Sequence, residues 1–157
     1  DRSRHSCWTA LPISRQGLPV LDRTIYENET NFRRGGYVIS HSDNPDVVIF
    51  SSGSEISLSL DVKEKLNDYS VKVVNMGCWE LFDEQPQSYK DSVLKTENAL
   101  LVSIEAGITN GWQKFTGRFG LNFGIDNYGA SAPGDQVASH FKLTVEDITV
   151  KIKQNLK

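Results

Sequence analysis

Two stretches of this chain, Val47-Val48-Ile49-Phe50 and Ala99-Leu100-Leu101-Val102, carry apolar side chains at consecutive rather than alternate positions. A strand of that kind sends apolar groups out of both faces of a sheet, so both faces must be covered. For one polypeptide the usual cover is a layer of helices above and another below. Neither run approaches the roughly 20 apolar residues that a membrane-spanning helix needs.

The segments around these runs have the periodicities that such a fold requires. Ile56, Leu58, Leu60, Val62 and Leu66 form a broad apolar stripe at helical spacing, with Ser54 ahead of it as the expected N-cap. Residues 71–76 read as the next strand, 79–94 as a loop with a short helix, and 99–104 as a central strand. Residues 110–115 read as a helical turn, 121–125 as a strand, and 135–141 as a helix introduced by Pro133. Near the end, Thr144 with Asp147 three residues on resembles a capping box, and Val145, Ile148, Ile152 and Leu156 share one face of the helix that follows. Upstream, residues 37–40 and 47–51 read as an antiparallel hairpin turning at Ser42 to Pro45. This order of strands and helices predicts an α/β three-layer sandwich around a mostly parallel, mixed sheet of about five strands. Residues 9–14 read as a further short strand with Pro12 at an edge, and residues 15–34 as a linker.

A chain of 157 residues is one domain on the usual prior. Its formal net charge of -3, with no block of either sign, argues against a nucleic-acid partner or an anionic membrane. The opening Asp-Arg-Ser-Arg-His-Ser-Cys-Trp has no apolar stretch behind it, so it does not read as a secretory signal. It does not begin on Met, and the expectation is a piece of something longer. Cys7 and Cys78 lie far apart without a CxxC pattern; reduced thiols in a cytoplasmic protein are the expected state.

Few residues stand out for chemistry. Ser52, Gly53 and Ser54 join a buried strand to a helix N-terminus, where free N–H groups favour an anion, although neither a Walker A loop nor a GxGxxG pattern is present. A tight turn with a serine cap explains the same residues without a ligand. Glu105, Asp126 and Asp83 follow strands or lie in loops, where they suit either acid–base work or turn and cap roles. His5, His41 and His140 lack metal-ligand spacing and read as surface residues. Trp112 and Tyr128 suit either the core or a contact with another domain. Arg15 follows a strand end, beside Ser14 and ahead of Gly17 and Pro19; its planar fork suits bidentate phosphate binding, and a linker ion pair suits it equally well.

Six strings, taken in order, say more: Ser-Arg-Gln-Gly-Leu-Pro at 14–19, Arg-Gly-Gly-Tyr-Val-Ile at 34–39, Ser-Gly-Ser-Glu at 52–55, Glu-Ala-Gly-Ile-Thr-Asn-Gly-Trp at 105–112, Tyr-Gly-Ala-Ser-Ala-Pro-Gly at 128–134 and Leu-Thr-Val-Glu-Asp-Ile at 143–148. Together they resemble the C-terminal part of the transketolase family over almost the whole chain after Trp8. The resemblance implies a homodimeric enzyme that transfers a two-carbon ketol unit between sugar phosphates with thiamine diphosphate and Mg. It places the cofactor in other domains, behind a Gly-Asp-Gly motif that this sequence lacks. On the same resemblance, residues 1–20 are the remnant of a middle, pyrimidine-binding domain, 21–35 a linker and 36–157 the C-terminal domain. Arg15 matches the arginine that holds the substrate phosphate, and no histidine inherits a role. The piece alone is expected to be inactive and to bind no cofactor. The competing expectation is a free-standing α/β regulatory module that binds an anion at residues 51–55.

Overall fold

The computed structural model of the protein describes residues 17–22, 24–26 and 29–156. The strand expected at 9–14, Arg15, His5 and Cys7 lie outside them.

Five strands form one sheet: β1 (Tyr37–Ser40), β2 (Val47–Ser51), β3 (Val71–Asn75), β4 (Leu100–Ile104) and β5 (Leu121–Phe123), in the spatial order β1-β3-β2-β4-β5. β2, β3, β4 and β5 run parallel, and β1 closes one edge antiparallel to β3. The mixed α/β sandwich is therefore as expected, but the hairpin between 37–40 and 47–51 is not. β2 is apolar at every position from Val47 to Phe50, all four at most 1% exposed, and it gains two parallel neighbours by lying between β3 and β4. The chain leaving β1 crosses the start of β3 instead of turning back. Ser70 N donates to Asp46 Oδ2 at 2.8 Å, and the Ser42 and Ser70 hydroxyls are hydrogen-bonded to each other.

Alternate residues of the strands feed two separate cores. Val47, Ile49, Val71, Val73, Val102 and Ile104 pack with Ile56 and Leu60 of α1 (Glu55–Lys65) and with Ile148 and Ile152 of the C-terminal helix (Val145–Asn155). On the opposite face Val48, Phe50, Val74 and Met76 meet Phe82 of α2 (Trp79–Asp83), Val93 of α3 (Gln87–Leu94) and Phe115 of α4 (Gln113–Thr116). Trp112 is buried here, edge-on to Trp79 with ring centroids 4.9 Å apart, so its role is packing. α5 (Gly134–His140) lies over the surface with no residue buried, and the C-terminal helix is α6.

The two serine and threonine caps expected from sequence fare differently. Thr144 Oγ1 accepts from Asp147 N at 3.1 Å and donates to the Asp147 carboxylate at 2.8 Å, fixing the start of α6. Thr144→Ala is expected to cost about 1 kcal/mol, read as a lower denaturant midpoint at unchanged slope. Ser54, by contrast, has helical backbone angles (φ -64, ψ -30) and makes no side-chain cap. The sharp turn falls one residue earlier, at Gly53 with φ 53, and the Ser54 hydroxyl donates to Glu55 Oε1 at 2.9 Å.

Candidate functional site

In an open parallel sheet, a crevice forms where neighbouring strands send their connections to opposite sides. β2 leads through α1 to β3 on one side, and β4 leads through α4 to β5 on the other, so that point lies between the ends of β2 and β4. The register pairs Ser51 with Ile104, which brings the next residues, Ser52 and Glu105, out side by side. Ser52 Oγ donates to Glu105 Oε2 at 2.7 Å. α1 starts three residues after Ser52, and Glu55 in its first turn comes within hydrogen-bonding reach of Glu105.

Burial, reinforced by the negative charge of Glu55 and opposed by the Ser52 hydrogen bond, pushes the Glu105 carboxyl up to about 7. A group with that property exchanges a proton near neutral pH, which is the requirement for a general acid or base. Among the described residues no group of three or more His, Cys, Asp or Glu is gathered for a metal. The arrangement holds a proton between two carboxyl groups at the positive end of a helix.

The loops that present Glu105 are laced together. Asp126 accepts from Thr109 N at 2.8 Å and from Thr109 Oγ1 at 2.9 Å, and Ile125 N donates to Gly107 O at 2.7 Å. Gly124 permits this approach, since a Cβ there would stand 2.6 Å from Gly107 O. Glu105 N itself donates to Phe123 O at 3.1 Å, tying the residue to the end of β5.

The residues singled out from sequence thus separate. Ser52 and Ser54 both turn their hydroxyl protons to carboxylates, so any anion approaching Gly53 faces Glu55 and Glu105. Asp83 is ion-paired with Lys114 in the open, and Asp126 is a loop clamp. His41 and His140 are exposed, Tyr128 is fully exposed, and Cys78 is a half-buried free thiol. What sequence reasoning missed is the convergence of Ser52, Glu55 and Glu105; only the pairing of β2 with β4 brings together residues 53 positions apart.

Residues 35–144 match the family model described as "Transketolase-like TK C-terminal domain". The chain is similar to the chloroplastic transketolase of Solanum tuberosum, at 43% identity over 92% of this chain and 20% of that one. It is similar also to the transketolase of Aquifex aeolicus, at 40% identity over 92% of this chain and 21% of the relative. Among solved structures, transketolase from Pichia stipitis in complex with sedoheptulose-7-phosphate superposes with a TM-score of 0.80 at 28% identity, covering 90% of this chain and 20% of that one. The chain spans about a fifth of the length of the curated relatives it matches.

Proposed function

Since the chain belongs to the transketolase family through its C-terminal domain, we propose that it serves an enzyme transferring a two-carbon ketol unit from a ketose phosphate to an aldose phosphate. The observation that carries this reading is the similarity to the Solanum tuberosum transketolase, 43% identical across 92% of the chain. Residues 36–157 are the C-terminal domain in this reading, 21–35 the linker and 1–20 the end of the middle domain. The working enzyme is a homodimer in the cytoplasm, although the Solanum relative is chloroplastic. No helix among the described residues is long and apolar enough to cross a membrane.

Thiamine diphosphate and Mg would supply the carbanion chemistry of such an enzyme. The residues here do not fit them: the sequence has no Gly-Asp-Gly, and the described residues gather no metal-binding cluster. Both are therefore assigned to the other domains, and no chemical step is routed through this chain.

Its direct contribution is Arg15, which the family resemblance matches to the arginine on the substrate phosphate. A phosphate remote from the reacting carbons is held about equally in the ground and transition states, so losing its partner raises KM and leaves kcat near normal. Removing charge-assisted hydrogen bonds of about 1.5–3 kcal/mol predicts a roughly 10- to 150-fold fall in kcat/KM for phosphorylated substrates. Steady-state kinetics of Arg15→Ala in the intact enzyme test this, and an unchanged kcat/KM would remove Arg15 from the substrate site.

A further inference from the structure

Beside the Glu105 pair, on the β3 side of β2, lies a crevice of about 380 Å³ to which the ketol-transfer reading gives no role. Its apolar lining comes from Leu18, Pro19 and Leu21 and from Phe32, Tyr37 and Ile56. The polar part is Ser52, Ser57 and Asn75, with Gly53 and Gly77 exposing backbone. Among the described lining residues there is no Asp, Glu, Lys, Arg or His.

Asn75, the last residue of β3, is nine-tenths buried, and its Oδ1 has no hydrogen-bond partner. A buried acceptor left without a donor carries an uncompensated desolvation cost. Such a cost is offset where a ligand brings the donor. Gly77 and Phe32 stand close to Oδ1: a Cβ on Gly77 would lie 3.5 Å from Oδ1 and 3.5 Å from Phe32 Cε2. Phe32 is 46% exposed, so its ring can swing to admit a guest of similar size.

We propose that this crevice is a binding site for a small uncharged ring bearing one N–H or O–H donor, the ring lying between Leu18 and Phe32 and the donor reaching Asn75 Oδ1. The lining selects this class. Apolar walls with aromatic edges favour a flat apolar body. Among the described residues the lining offers no cation to neutralise a phosphate or carboxylate, and the neighbouring Glu55 and Glu105 disfavour an anion. One orphan acceptor calls for one donor, and a ring that lacks it leaves Asn75 unpaired, as a site built around a hydrogen bond discriminates against an analogue without one.

The test is ligand-observed fluorine NMR on the intact protein with two matched probes, 5-fluoroindole and 5-fluoro-1-methylindole, which differ at the ring N–H. Saturable broadening of the indole, at least tenfold weaker for the N-methyl probe, is the expected result. Asn75→Leu should abolish the preference, and Gly77→Val, which adds bulk between Oδ1 and Phe32, should abolish binding of both. Absence of saturable broadening, equal affinity for the two probes, or binding that survives Gly77→Val would each overturn the proposal. Because the probes carry no phosphate, their failure leaves the ketol-transfer reading untouched.

Discussion

Glu105→Gln is expected to stabilise the protein more at pH 8 than at pH 5, by on the order of 1–3 kcal/mol at the higher pH once solvent screening of the partly exposed carboxyl is allowed for, as read from denaturant midpoints. The carboxyl is held near 7 in the folded chain, against 4.5 for the free group. Folding therefore takes up a proton at Glu105 between those values. The folded state is unpenalised below the lower value, loses stability as pH rises from there, and carries the full penalty above 7. A glutamine keeps the shape, accepts from Ser52 and donates to Glu55, and so reproduces the protonated carboxyl at every pH. A gain of equal size at both pH values would contradict the raised carboxyl, and a loss at pH 8 would show that the ionised form is the one the fold supports.

Gly35→Ala should cost about 3–6 kcal/mol, combining backbone strain with overpacking. That is a large part of the total stability of a domain. Gly35 has φ 80, and a Cβ there would stand 2.2 Å from Cys78 O and 2.5 Å from Phe82 N. The pressed atoms are backbone, fixed by the hydrogen bond from Cys78 N to Gly35 O at 2.9 Å, and they cannot turn aside as a side chain would. Gly36 is also tight, though less so and against side chains, its Cβ position lying 2.8 Å from Phe82 Cδ2. The pair lets the chain enter β1 against the start of α2. A midpoint within 1 kcal/mol of wild type would mean that this junction yields more easily than its packing implies.

Much of the fold was legible because its signals are local. Consecutive apolar residues marked β2 and β4 as strands covered on both faces, and the stripe from Ile56 to Leu66 marked α1. Thr144 and Asp147 marked the start of α6. The position of β1 was not legible: Ser42 to Pro45 suits a tight turn, and only the need of Val47 to Phe50 for two parallel neighbours places β3 between them. Lys72 shows the same limit. It lies 4% exposed in β3, with burial lowering its pKa and Nζ donating to Val93 O at 3.0 Å, and nothing in its neighbours along the chain announces a buried lysine held by the end of a helix.

The site divides in the same way. Ser52 and Gly53 were marked by their place at a helix start, but their carboxylate company depends on the register of β2 with β4. Asn75 gave no signal, because an asparagine closing a strand reads as a turn former until its Oδ1 is found buried without a partner. Arg15 stood out from its place after an expected strand end, the resemblance of the string around it chose phosphate binding over an ion pair, and it lies outside the described residues.

The most direct single measurement is ketol transfer by the intact polypeptide that carries this sequence, supplied with thiamine diphosphate and Mg and given a ketose phosphate and an aldose phosphate. Transfer of a two-carbon unit, with its rate following the phosphorylated donor, is the expected result. An intact, folded and cofactor-loaded polypeptide that leaves both sugars unchanged would contradict the assignment of this domain to a ketol-transferring enzyme.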